Sequence, residues 1–169
     1  KRCTYAAGSS VRVVSREESA ERIAVALAAR DEVAEEGGDV LVIARTDCRA
    51  ALGMEEVVAR CRAYEALGAD VVYAENLQSR DEYLKLRDCL RMETPMMLAQ
   101  VQQQLERGVG SSNLFTVEEV GGMGYCLALF GVTALQATIG ALRQSVEELM
   151  ATGGFLKGEG GPNSLAPFS

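Results

Sequence analysis

Short apolar runs, each ending in a polar group and followed by a helix signal, constrain the fold of this chain most. Leu41-Val42-Ile43-Ala44 leads straight into Arg45-Thr46-Asp47, so an apolar strand ends in a cation, a hydroxyl and a carboxylate. Val71-Val72-Tyr73-Ala74 ends in Glu75, and Met96-Met97-Leu98-Ala99 ends in Gln100. Continuous apolar runs suit strands covered on both faces, and parallel α/β sheets present their chemistry at the C-terminal strand edge. Three successive strands with different polar ends point to one shared site.

The intervening segments read as helices. Ser15-Arg16-Glu17-Glu18, Ser79-Arg80-Asp81-Glu82 and Thr116-Val117-Glu118-Glu119 have capping-box spacing. The first opens a helix to about Glu36, the second one to about Met92, and the third a short helix closed by Gly121-Gly122. Further helices are expected over Met54–Leu67, with Gly68 as its cap, and over Thr133–Ala151. Strands are expected at Asp39–Ala44, Asp70–Ala74, Pro95–Ala99 and Tyr125–Phe130. Strand starts lie roughly 25–30 residues apart, close to the repeat of an eight-stranded barrel. The expected fold is therefore α/β, the C-terminal half of a (β/α)8 TIM-type barrel. Residues 1–152 would form the partial barrel and 153–169 a flexible Gly- and Pro-rich tail. The periodicity alone also allows a small open sheet.

Charge and residue content exclude several functions. A net charge of −7 argues against nucleic acid and anionic membrane as partners. Residues 123–142 carry no charge, but glycines, threonines and Gln136 divide them into a strand and a helix, not a membrane span. The chain has no histidine, which removes the commonest general base and zinc ligand. Cys3, Cys48, Cys61, Cys89 and Cys126 are scattered and odd in number, as expected of free thiols in a reducing intracellular compartment, whether cytoplasm or organelle matrix. Gly108-Val109-Gly110-Ser111-Ser112 is not a phosphate loop, because no Gly-Lys-Ser/Thr follows.

Several motifs together carry a family likeness. Lys1-Arg2-Cys3, Ala44-Arg45-Thr46-Asp47, Ala63-Tyr64 before Gly68-Ala69-Asp70, Glu75, and Glu118-Glu119 before Gly124-Tyr125 resemble the isocitrate lyase/phosphoenolpyruvate mutase superfamily. The methylisocitrate lyase and carboxyphosphonoenolpyruvate mutase branches look most similar. The likeness runs from residue 1 to about 152 and is read as one to the C-terminal half only. It implies a Mg²⁺-dependent enzyme making or breaking a C–C or C–P bond of a small 2-oxo or hydroxy acid through an enolate-like species. By resemblance Arg45 holds the substrate carboxylate, with Thr46 and Gln100 beside it, because a guanidinium fork matches that group. Glu75 orients the substrate, and Cys3 sits where the lyases keep their catalytic thiol.

The sequence also departs from the family pattern. Thr4 and Tyr5 replace the Gly and His that follow the lyase cysteine, and Gln100 replaces an Asn. The metal-binding aspartates are expected upstream of Lys-Arg-Cys, so the resemblance implies no Mg²⁺ ligand in this chain and leaves open that it uses no cofactor. This chain alone is then expected to be a degenerate or incomplete enzyme. The alternative is a catalytically inactive structural subunit of a larger assembly. A small-carboxylate sensor is a third reading. A half barrel leaves two sheet edges and an apolar face to be covered by the remaining barrel half or by partner chains in an oligomer, with 133–151 as a candidate interface.

Overall fold

The computed structural model describes residues 12–101, 114–131 and 133–154. The elements in chain order are α1 (Arg16–Glu35), β1 (Ile43–Thr46), α2 (Arg49–Leu67), β2 (Val71–Ala74), α3 (Arg80–Asp88), β3 (Met96–Val101), α4 (Val117–Gly122), β4 (Leu127–Gly131) and α5 (Thr133–Thr152). The four strands are parallel and lie side by side in sequence order. Among the described residues β1 pairs only with β2 and β4 only with β3, so the sheet is open. Half a barrel would also present an open sheet of this kind, so the strand pairing does not by itself assign these strands to the C-terminal half of a (β/α)8 barrel. The described elements form an open, four-stranded parallel α/β sheet, an architecture that resembles part of that barrel fold. The chain divides into a unit bearing the sheet and a second unit containing α5.

Strand alternation sorts side chains onto two faces. Ala44, Val72, Ala74, Met96 and Leu98 share one core with Val57, Cys61 and Tyr64 of α2 and Tyr83 and Leu86 of α3. Phe115, Val120, Met123 and Tyr125 extend that core along α4 and the approach to β4. Each fully buried Leu or Met there contributes roughly 1.5–3 kcal/mol. The register aligns Arg45 with Tyr73, Tyr73 with Met97, and Met97 with Leu127 on the opposite face. On that face Ile43, Leu127 and Leu129 remain exposed.

Polar side chains fasten the helices to the sheet. Asp70 accepts from the Val42 amide at 2.8 Å and from Arg30 at 2.7 Å, tying α1 to the entry of β1. Arg49 grips Glu82 with both Nε and Nη2, joining α2 to α3. Gly68, at φ 87, closes α2 in the left-handed conformation that favours glycine. In α5, Leu135, Ile139, Leu142, Val146 and Leu149 recur along one stripe and are exposed. No helix among the described residues is long and apolar enough to cross a membrane.

These pairs set an acid limit on stability. The Arg16 and Arg49 hydrogen bonds hold Glu56 and Glu82 below the usual carboxylate range, against the opposing effect of burial. Burial pushes Asp70 and Glu65 upward, but hydrogen bonds to Val42 and Arg30, and to Thr94 and Arg91, outweigh it and lower both. A folded pKa below the unfolded value means the unfolded chain binds protons more readily. The contribution is therefore fully present above about pH 4–5 and is lost as pH falls through the lower folded values. Urea midpoints should hold from pH 7 to about 5 and drop toward pH 3; a flat profile would exclude this linkage.

Candidate functional site

Arg45 lies on β1 directly across from Tyr73 on β2, and Glu75 follows two residues later on the same side. Parallel pairing thus brings a cation, a phenol and a carboxylate together at the C-terminal edge. Arg45 Nε and Nη2 donate to Asp47 Oδ1 at 3.1 and 2.7 Å. Nη2 also lies 2.8 Å from Glu75 Oε2. The Tyr73 hydroxyl donates to that same Glu75 oxygen. Arg45 Cζ stands 5.3 Å from the Tyr73 ring centroid, so the phenol also backs the guanidinium.

Exposure across the cluster is uneven. The Glu75 side chain is 3% exposed and that of Asp47 8%, whereas Arg45 is 41% exposed. Partial burial works against the charged guanidinium, but the Asp47 hydrogen bond and the charges of Glu75 and Asp47 raise its pKa above the ordinary arginine value. Arg45 therefore stays cationic at every working pH. Its Nη1 group makes no hydrogen bond among the described residues. One edge of the fork is clamped by carboxylates, while the side chain as a whole keeps 41% of its surface exposed.

The candidate residues divide between the two faces. Arg45 and Glu75 are brought together, with Asp47 against them. Thr46 is buried on the helix side with Ala44, because its neighbour Arg45 takes the other face. Gln100 also lies on the helix side, where its amide donates to the Phe115 carbonyl at 2.7 Å and accepts from the Phe115 N–H at 2.8 Å. Cys3, the Gly108–Ser112 stretch and nearly all of the 153–169 tail lie outside the described residues. Among the described thiols, burial raises the pKa of both Cys48 and Cys61, which holds them protonated. Sequence reasoning missed Tyr73; its place opposite Arg45 and two residues before Glu75 was the available signal.

Residues 6–150 match the family model described as phosphoenolpyruvate phosphomutase. The chain belongs to this family. It is 29% identical to a 2-methylisocitrate lyase of Aeropyrum pernix over 153 residues, 90% of this chain and 44% of that protein. An oxaloacetate acetylhydrolase solved with the inhibitor 3,3-difluorooxalacetate superposes with a TM-score of 0.79 and 32% identity, covering 99% of this chain and 51% of the other. A phosphonopyruvate hydrolase solved with oxalate and Mg²⁺ gives a TM-score of 0.65 and 28% identity, covering 84% and 46%. The phosphoenolpyruvate phosphomutase family and its superfamily thus include C–C and C–P bond chemistry on this fold.

The match corrects the expected restriction to a C-terminal half. It runs over nearly the whole chain, to part of the family fold, with no assignment to its C-terminal half. The chain spans about half the length of the relatives it matches. The Mg²⁺ expected by resemblance does not fit the described residues. They contain no group of three Asp, Glu, Cys or His side chains able to hold a metal ion, and Asp47 and Glu75 are both engaged with Arg45.

Proposed function

We propose that the Arg45 cluster is the carboxylate anchor of a lyase- or mutase-type site acting on a small 2-oxo or hydroxy acid. One observation carries the reading: Asp47 and Glu75 fix the Nε and Nη2 side of a permanently charged guanidinium, while its Nη1 side stays uncommitted among the described residues. A fork held this way meets a carboxylate without first having to be ordered. The relatives named above for oxaloacetate, phosphonopyruvate and 2-methylisocitrate support an acid of this class. Arg45 would bind and orient the acid, and Glu75 would hold Arg45 in place.

The test is a calorimetric titration of the full chain with oxalate. The wild type should bind, and Arg45→Met should weaken binding by roughly tenfold or more, as expected for a lost charge-assisted contact. Equal affinity in the two proteins would end this reading.

A second reading, a non-catalytic structural subunit, is favoured by the apolar side chains left exposed on the sheet and on α5. Partner chains would then cover Ile43, Leu127 and Leu129, and the exposed α5 stripe would be an interface. Turnover of oxaloacetate or 2-methylisocitrate with added Mg²⁺ supports the enzyme; oxalate binding without turnover supports the subunit.

A further inference from the structure

We propose that Tyr73 is the positioning residue of this site, aiming the Nη1 edge of Arg45 through two separate contacts. The inference rests on the reading of Arg45 as a carboxylate anchor. The first contact is polar: the Tyr73 hydroxyl donates to the Glu75 oxygen that also takes Arg45 Nη2. The second is the ring itself, backing the guanidinium at 5.3 Å. Both follow from the register, which sets Tyr73 opposite Arg45 on the same sheet face.

The two contacts have different consequences. Glu75 is a buried carboxylate, and a buried acceptor that loses a donor draws on whatever donors remain. Arg45 is a cation within its reach. Without the phenol hydroxyl, Glu75 pulls more strongly on the guanidinium and recruits the Nη1 side, the edge an incoming acid needs. The ring works by shape and charge. It fixes the plane of the guanidinium, and the negative face of the π system holds the cation against the sheet. Tyr73 is itself buried, so its position is set by packing and not by the ligand.

Three forms of the full chain separate these effects: wild type, Tyr73→Phe, which keeps the ring, and Tyr73→Leu, which keeps neither contact. Two readouts are used, arginine side-chain NMR of the Arg45 Nε and Nη groups and calorimetric titration with oxalate. The wild-type Arg45 Nε–H should be shifted by the ring and its Nη groups should rotate slowly. Tyr73→Phe should keep the ring shift, slow the Nη rotation further as Glu75 draws in Nη1, and weaken oxalate roughly fivefold. Tyr73→Leu should lose the ring shift as well and bind more weakly still. A merely structural tyrosine would change the unfolding midpoint without changing the Arg45 signals.

Arg45 signals identical in all three proteins overturn the proposal. So does oxalate binding that Arg45→Met abolishes but neither Tyr73 variant weakens, an outcome that leaves the carboxylate anchor standing. If the Arg45 signals follow Tyr73 as expected but no form binds oxalate, the positioning contact is upheld and the carboxylate anchor fails.

Discussion

Replacing Arg87 by Met should destabilise the protein by roughly 3 kcal/mol, a large share of the ~5–15 kcal/mol that holds a domain folded. Arg87 sits near the end of α3 and is 6% exposed, yet its partners among the described residues are all backbone carbonyls. Nη1 donates to Thr94 O at 2.8 Å and more weakly to Gly124 O at 3.4 Å, while Nη2 donates to Arg91 O. One guanidinium therefore stitches the turn before β3 to the turn before β4. Methionine keeps the apolar stem and removes every donor, leaving the Thr94 carbonyl buried without its charged partner. Lysine should not rescue, because a single ammonium cannot reproduce the fork. Gly124, at φ 82, leaves room for the stem, since a Cβ there would stand 3.0 Å from Arg87 Cδ. Urea unfolding gives the answer, with Arg22→Ala as the exposed-pair control at less than about 0.5 kcal/mol. A shift of Arg87→Met no larger than that control would show that the stitch adds nothing.

Arg87 also marks a limit of sequence reading. The pattern carries the second capping-box helix on to about Met92, but α3 stops at Asp88. The chain then turns, with the Leu90 amide donating to Arg87 O and the Thr94 amide to Arg91 O. A side chain that binds carbonyls beyond its own helix gives no periodic signal. The three capping-box motifs show the opposite. All three start helices where expected, because an N-cap hydroxyl and its N3 amide are local partners. Only Thr116 and Glu119 close the box in both directions; the Glu18 carboxylate pairs with Arg22, and that of Glu82 with Arg49. Strand β1 starts at Ile43, not Asp39, and the Val42 amide just before it donates to the Asp70 carboxylate. The first turn of α2 was missed because Cys48 gives it no side-chain cap and Gly53 breaks it from the rest.

The site shows the same division. Arg45 and Glu75 were legible because an apolar run that ends in a charge places that charge at the sheet edge. Which face each residue takes depends on strand pairing and register, which lie between distant segments. That is why Thr46 and Gln100 are separated from Arg45, and why Tyr73, an apolar core residue by pattern, stands inside the cluster.

Gln100 bears the sharpest consequence of that separation. Gln100→Leu should cost about 2–4 kcal/mol, because it leaves both the N–H and the C=O of the buried Phe115 without their side-chain partner. The amide joins the end of β3 to the residue just before the Thr116 cap of α4, so its loss should loosen that junction first. The Phe115 amide should exchange with solvent much faster in the variant, while the amides of β2 keep their protection. Gln100→Asn tests the reach. A side chain one methylene shorter should hold at most one of the two bonds and fall between wild type and Leu. Oxalate titration of the same proteins separates the clasp from the substrate contact the resemblance implies. A clasp alone lowers stability and leaves oxalate affinity in the folded protein nearly unchanged. A stability change below about 0.5 kcal/mol, with unaltered Phe115 exchange and weakened oxalate binding, would reverse the assignment and return Gln100 to the ligand.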